Sequence, residues 1–152
     1  MTIKINSRET LEYAADFYHD VKFYTNRISF NKAERVFSLK LNRIKWEKTI
    51  IHLNLFFIKV CSAPRTKSVL YFEQVNDVKL HLIKTQLSEG QPVDFINTIK
   101  YYPKEHNIEF KCINGSNIKL FVERLSGKLE DIDKTTGKTH FIYFFGIEFG
   151  GQ

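Results

Sequence analysis

The sequence of 152 residues is poor in the residues that cross-link or break a chain, with two cysteines, three prolines and seven glycines. Cys61 and Cys112 stand alone, and two isolated cysteines are typical of small buried apolar residues rather than of a disulfide framework. This usage predicts a reducing, cytoplasmic setting. The low Pro and Gly content excludes collagen-like and low-complexity chains. No apolar run approaches the roughly 20 residues that span a bilayer, so no membrane span is predicted.

The sequence also lacks the motifs of common catalytic and metal sites. No H-x-x-x-H or C-x-x-C spacing occurs, so we expect no metal and no other cofactor. There is no G-x-S-x-G nucleophile motif and no phosphate-binding glycine-rich loop. These absences favour a protein that is not an enzyme, while acid and base groups that are remote in sequence keep catalysis open as an alternative. The histidines are scattered along the chain at His19, His52, His81, His106 and His140.

Aromatic residues are abundant, with 14 Phe and 7 Tyr against a single Met. Aromatic and β-branched side chains suit pleated sheets better than helices. We therefore expect one mainly β (α+β) domain of seven or eight antiparallel strands in a barrel or sandwich. Short helices are predicted near both ends of the chain. This arrangement is similar to pleckstrin-homology-like barrels, a likeness of fold that carries no function with it.

The expected helices and boundaries follow from local patterns. Asn6 is the predicted N-cap, with a capping box, of a helix that runs to about His19. The spacing of residues 125, 129 and 132 predicts a C-terminal helix. Asn114-Gly115 predicts a hairpin, because a type I′ turn needs positive φ at both central residues. Residues 1–140 are expected to form the domain, and residues 141–152 an aromatic extension that pairs as an edge strand, docks on a partner or has no role.

The segment Arg35–Glu47 contains the most informative pattern. Phe37, Leu39 and Leu41 alternate with polar residues, as in a half-buried strand. The next large apolar residues, at positions 44 and 46, are one residue out of phase, which predicts a β-bulge near Asn42-Arg43. Such a bend either directs polar side chains to a partner or is closed by a local hydrogen-bonded network. The candidate partner-binding residues are Asn42, Arg43, Trp46 and Glu47.

Positive charge is concentrated in one part of the chain. Between Lys22 and Lys67 there are 11 basic and two acidic residues, although the net charge of the whole chain is only +6. Such asymmetry suggests an acidic or polyanionic partner. Nearby aromatic residues resemble the stacking platforms of sheets that bind single-stranded nucleic acids, but they serve equally well as core. The candidate polyanion-binding residues are Lys40, Lys45, Lys48, Arg65 and Lys67.

Three pieces of the sequence, KAERVFSLKLNRIKWEK, RTKSVLYFEQVNDVKL and NIKLFVERLSGKLEDID, resemble an uncharacterised bacterial family best known from alphaproteobacteria. The likeness covers about Asp16 to His140, and its most specific part is LNR-x-x-WE. No activity of the family can be transferred, so the resemblance implies a genuine domain and no function. The chain departs from the family pattern at the apolar insert Ile50–Val60 and after His140. The positions that carry the resemblance are Leu41, Asn42, Arg43, Trp46, Glu47, Arg65, Phe72, Val75, Glu123 and Asp131.

The leading functional hypothesis is a non-enzymatic protein-binding or scaffolding module. It would engage an unknown protein partner, or a second copy as a homodimer, through the face that holds Asn42, Arg43 and Trp46, with the tail aiding association. The alternative is nucleic-acid or polyanion binding through the basic segment. Salt separates the two, because phosphate contacts release counterions and weaken steeply as salt rises. A third hypothesis is a small-molecule pocket inside the barrel.

Overall fold

Two antiparallel β-sheets and one α-helix form the fold in the computed structural model, which describes residues 1–83, 92–132 and 137–150. The prediction of a mainly β domain is confirmed, although there are more strands than the seven or eight expected. Among the described residues they are β1 (Thr2–Ile5), β2 (Lys22–Phe23), β3 (Ile28–Asn31), β4 (Val36–Ile44), β5 (Ile50–Asn54), β6 (Ile58–Phe72), β7 (Val75–His81), β8 (Asp94–Tyr102), β9 (Asn107–Cys112), β10 (Asn117–Val122), β11 (Gly127–Asp131), β12 (Gly137–Phe144) and β13 (Ile147–Gly150).

The 15-residue strand β6 organises the larger sheet. Its C-terminal half pairs with β4 on one side and β11 on the other, and its N-terminal half pairs with β5 and β12. Strands β1, β3 and β13 extend this sheet from β11, β4 and β12, and the sheet curves into a half-barrel. The smaller sheet has the order β2-β8-β9-β10-β7. Long-range pairing on both sides of one strand therefore joins the middle of the chain to its end.

The apolar core has two parts of very different size. The larger part lies between the two sheets and the helix, and includes Phe110, whose ring contacts those of Phe37 and Phe72. The smaller part lies beneath the N-terminal half of β6 and is made by Cys61, Ala63 and Phe141. Both cysteines are buried free thiols, as expected. Burial raises the pKa of Cys112 to about 12, so its thiol stays protonated at neutral pH.

The N-terminal helix is confirmed, with different ends. Helix α1 covers Arg8–Asp16, and its N-cap is Ser7 rather than Asn6. The Thr10 hydroxyl accepts hydrogen bonds from the backbone N–H groups of Ser7 and Asn6, so Thr10 takes the capping-box role expected of Glu9. Leu11 and Ala14 bury one face of the helix against the larger core.

The predicted C-terminal helix is wrong, because that segment is strand β11. Its backbone pairs with β1 on one side and with β6 on the other, so its hydrogen-bonding groups are used in the sheet. Period two replaces the helical spacing, with Gly127, Leu129 and Asp131 turned inward. The hairpin at Asn114-Gly115 is confirmed between β9 and β10, but only Gly115 has positive φ, so the turn is not type I′.

The predicted bulge near Asn42-Arg43 is also wrong. Strand β4 pairs with β6 without a register shift from Phe37 to Ile44, and its inward positions continue past Leu41 to Arg43. An arginine occupies the place where the pattern expected an apolar residue, so the alternation never changes phase. Register shifts occur instead at residues 51–53, 96–98 and 121–122.

The aromatic tail is part of the larger sheet. The boundary predicted at residue 140 falls inside β12, which pairs with β6 along its whole length from Gly137 to Phe144. Strand β13 then folds back on β12 through a turn at Phe145 and Gly146, both with positive φ. The four strands β5, β6, β12 and β13 thus form the lower part of the larger sheet.

Candidate functional site

A buried ion-pair network lies where β4, β6 and β11 meet. Arg43 is fully buried, and its guanidinium donates to both carboxylate oxygens of Asp131, with 2.9 Å from Nε and 2.9 Å from Nη2. It also donates to Glu47, at 3.0 Å and 3.2 Å. Arg43 and Asp131 lie on opposite sides of β6 and meet above the small residues Thr66 and Ser68. Two bidentate contacts therefore hold one arginine in place.

Further groups complete the environment of the network. The Phe17 ring lies 5.0 Å from the Arg43 guanidinium carbon. The N-terminal ammonium and the Lys45 ammonium lie 3.4 Å and 3.7 Å from Asp131 Oδ2. Within the described part of the chain, the carboxylate of Asp131 therefore has three cations around it, whereas the Arg43 guanidinium has two carboxylates.

The charges in the network stabilise one another. Burial alone would raise the pKa of Asp131 and of Glu47, but the hydrogen bonds and positive charge of Arg43 outweigh burial and lower both pKa values below their usual range. Burial alone would lower the pKa of Arg43, but the two carboxylates raise it. All three side chains are therefore ionised at neutral pH, and the network holds strand β11 on the core.

A cleft of about 440 Å³ lies next to the network, along the edge of β4 beyond its pairing with β3. The Trp46 ring lies 4.7 Å from that of Phe141 and forms part of one wall. Charges of both signs line the cleft, among them Lys22, Arg65 and Glu148. Burial and the neighbouring Glu148 raise the pKa of Tyr143 to about 12. The lining residues are Asp16, His19, Asp20, Val21, Lys22, Tyr24, Asn42, Ile44, Trp46, Arg65, Phe141 and Glu148.

The structure separates the four predicted partner-binding residues. Asn42 and Trp46 line the cleft, Glu47 covers the buried network from outside, and Arg43 is inside it. Direct contact between Arg43 and a partner would require the ion pairs to open. Of the predicted local network of Asn42, Arg43 and Glu47, the structure contains the pair of Arg43 and Glu47. The main carboxylate partner of Arg43 is Asp131.

The five predicted polyanion-binding residues have different surroundings. Lys40, Arg65 and Lys67 project from the same side of the larger sheet, as their pairing register requires. Arg65 donates to the Thr139 hydroxyl and lines the cleft, while Lys45 is turned towards Asp131. Lys48 lies on the short 3₁₀ turn Trp46–Lys48. Polyanion binding stays a prediction, and it depends on Lys40, Arg65 and Lys67, which share one side of the sheet.

The side of the lower sheet that faces away from Arg65 and Lys67 is apolar and exposed. Sequence patterns alone did not reveal this surface. One row runs straight across all four strands, from Leu53 through Val60 and Ile142 to Phe149, because these residues are direct cross-strand partners. A second row contains Ile58, Phe144 and Ile147. We call this surface the apolar face; its members are Ile50, Leu53, Ile58, Val60, Ile142, Phe144, Ile147 and Phe149.

Two neighbouring turns extend the apolar face at one end. Leu55, Phe56 and Phe57 connect β5 to β6, and Phe145 lies in the turn between β12 and β13. The Phe145 N–H donates to the Phe57 carbonyl at 2.9 Å, and the Phe57 ring lies 6.1 Å from that of Phe145. The two turns are therefore joined, yet their apolar side chains remain exposed.

Three polar residues, His52, Ser62 and His140, lie beside the apolar face. His52 Nε2 lies 2.6 Å from the Ser62 hydroxyl, and the His52 and His140 rings are 6.3 Å apart. Over the described ranges, no three His, Cys, Asp or Glu side chains are grouped to hold a metal ion. In the same part of the chain, no helix is long and apolar enough to cross a bilayer.

The sequence hint for this surface is the expectation that the insert Ile50–Val60 and the tail after His140 depart from the family pattern. These two segments supply β5, part of β6, part of β12 and β13. They become neighbours only through pairing between residues about 80 positions apart, which local patterns do not specify.

Comparison with curated proteins and with solved structures gives no match. A family model described as a protein of unknown function, DUF2948, matches residues 5–141. This range holds the buried ion-pair network except for the N-terminal ammonium, and it ends within β12. The match supports the resemblance found in the sequence, while the bacterial origin and the LNR-x-x-WE motif stay predictions. With nearly all of its sheet-forming residues inside the matched range, the chain belongs to the DUF2948 family of proteins of unknown function.

Proposed function

We propose that the protein is a non-enzymatic protein-binding module whose binding surface is the apolar face. The observation that carries this proposal is a contiguous set of apolar side chains, from four adjacent strands, exposed on one side of a sheet. The largest apolar patch on a typical monomer is about 300–600 Å², and larger ones mark interaction sites. The apolar face, together with its aromatic turns, exceeds that range.

The chemistry of the surface favours a polypeptide as the ligand. Half-exposed Ile, Leu and Phe side chains fit the buried centre of a protein interface, where charged residues are depleted. A small-molecule site is usually concave, whereas the apolar face is a sheet surface. Polyanion binding has less support, because no Lys or Arg is a member of the apolar face and Lys45 is already bound to Asp131.

A photo-cross-linking experiment in cells tests the proposal. The photoreactive residue benzoyl-phenylalanine replaces Phe149 in the apolar face, and in a second variant it replaces Leu80. Leu80 is a matched control, since it is 47% exposed on β7 of the smaller sheet, against 54% for Phe149. We expect light-dependent adducts of discrete mass from position 149 and none from position 80.

The adduct pattern decides the outcome. Discrete protein adducts at 149 alone place a polypeptide on the apolar face. No protein adduct at 149, or the same adducts at 149 and 80, contradicts the proposal, because the face would then be solvated or would meet proteins only by random collision.

A further inference from the structure

We infer that the partner of the apolar face is a second copy of this chain, packed face to face as an isologous dimer. This inference rests on the proposed function, and it names the polypeptide that the surface binds. Two four-stranded sheets would stack with their apolar faces in contact, about 10 Å apart, as in a β-sandwich. The dimer would convert the exposed lower sheet into the interior of an intermolecular sandwich.

The size of the surface fits this arrangement. The eight side chains of the apolar face together expose roughly 600 Å², and the adjoining turns add several hundred more; a standard interface buries about 800 Å² per partner. The exposed fractions on which this estimate depends lie between 42% and 63% for six of the eight residues, namely Ile50, Leu53, Ile142, Phe144, Ile147 and Phe149. A second copy supplies a surface of equal area by definition.

The charge pattern also fits a surface that contacts itself. Residues close to a two-fold axis face their own copies, so a charge near the axis would face a like charge. All members of the apolar face are uncharged, although the whole chain carries a net charge of +6. An acidic partner would instead call for basic residues within the contact surface, whereas Arg65 and Lys67 of β6 project from the other side of the sheet.

The geometry of the sheet locates the axis. Strands β6 and β12 are the two central strands of the lower sheet, and Val60 and Ile142 are direct partners in the middle of the longest apolar row. A two-fold axis that lies between the two stacked sheets and parallel to them would therefore pass over this pair. Each Ile142 would then approach the Ile142 of the second copy, and a substitution there would act twice.

Sedimentation equilibrium of the full chain tests this inference. We expect a dimer of twice the 18.0 kDa protomer mass, with a dissociation constant of about 10 μM or tighter, since interfaces of this size range from micromolar to picomolar affinity. Ile142→Lys should weaken association by at least about 100-fold, because it buries two like charges near the axis. Leu80→Lys is the matched control, with 47% exposure against 48% for Ile142, and should leave the dimer unchanged.

A charge-pairing experiment makes the test specific to the axis. Ile142→Lys and Ile142→Glu should each be monomeric, and their equimolar mixture should form a heterodimer. Circular dichroism and urea unfolding of each variant confirm the fold before this comparison. A monomeric wild-type protein at about 100 μM, or a dimer that survives Ile142→Lys, overturns the inference.

The two proposals fail in different ways. If the purified chain is monomeric while residue 149 cross-links to a protein of another mass, the second copy is wrong and the protein-binding surface stands. A monomeric chain that floats with phospholipid vesicles and gives no protein adduct contradicts both proposals.

Discussion

Replacing Asp131 by Asn should destabilise the protein more than any other single change in the buried ion-pair network. The substitution keeps the shape of the side chain but removes the charge that accepts both 2.9 Å hydrogen bonds from Arg43. Arg43 would remain fully buried with Glu47 alone. Removing one partner of a buried pair costs about 3–5 kcal/mol, a large share of a typical stability of about 5–15 kcal/mol.

Two further substitutions provide the comparison. Glu47→Gln should cost only about 0.5–1 kcal/mol, because the Glu47 side chain is 34% exposed and solvent screens its charge. Arg43→Met should cost about 2 kcal/mol, less than Asp131→Asn, since the remaining Asp131 carboxylate keeps the N-terminal and Lys45 ammonium groups as neighbours. The expected order of destabilisation is therefore Asp131→Asn, then Arg43→Met, then Glu47→Gln.

Urea unfolding at pH 7, followed by the fluorescence of the single Trp, measures all three variants. If the free energy of unfolding falls with urea concentration at the same slope in all variants, the midpoints report stability rather than a changed unfolded state. A cost below about 1 kcal/mol for Asp131→Asn, or a larger cost for Glu47→Gln, would refute the reasoning, because Arg43 would then have found compensation from water.

Four other outcomes are expected. The pKa values of Asp131 and Glu47 are lowered in the folded state, so the unfolded state binds more protons in acid. The stability that the network contributes is therefore present above the pKa values of ordinary carboxylates and is lost as pH falls below about 4. Asp131→Asn should flatten the dependence of the urea midpoint on pH in this acidic range. Gly127→Ala should lower the free energy of unfolding in urea by about 1–3 kcal/mol, because a Cβ would overlap the Tyr71 carbonyl oxygen and lie 2.7 Å from Phe72 Cδ1. In the control Gly146→Ala the new Cβ meets no atom within 4 Å, so only the backbone strain of a φ of 78° should lower stability. Trp46→Ala should lower stability by about 2 kcal/mol through loss of contact with Phe141, and Trp46→Phe by less; if partner binding falls without loss of stability, the cleft itself binds. Added sulfate should strengthen dimerisation in sedimentation, since it favours apolar burial and screens the +6 charge, while binding of labelled oligonucleotides, if present, should weaken with salt.

Local patterns predicted the parts of the fold whose inward positions are apolar. The alternation of Phe37, Leu39 and Leu41 gave the first part of β4 correctly, and the capping signals located helix α1 to within a few residues. The number of strands was underestimated because several are only two to four residues long. The apolar face could not be predicted, since it exists only after β12 has paired with β6.

The predicted bulge in β4 and the predicted C-terminal helix were wrong for the same physical reason. Beyond Leu41, strand β4 places Arg43 inward, and strand β11 places Asp131 inward, so each strand ends its inward row on a charged residue. In the sequence alone, the inward charge of Arg43 suggested a bulge. The inward charge of Asp131 hid the period-two pattern of its strand, so that residues 125, 129 and 132 suggested a helix. Each charge is tolerated inside only because the other one faces it across β6 at 2.9 Å.

A pair of oppositely charged residues at the ends of two interrupted alternating patterns therefore indicates two strands that flank a common third strand and are joined across it by a buried ion pair. The double variant that combines Arg43→Met with Asp131→Leu tests this directly in urea unfolding. If shape and burial are all that the two positions require, the apolar pair should be at least as stable as the ion pair, whereas each single substitution should be less stable. A double variant that loses as much stability as the two single variants added together would contradict this reasoning, because the two positions would then act independently.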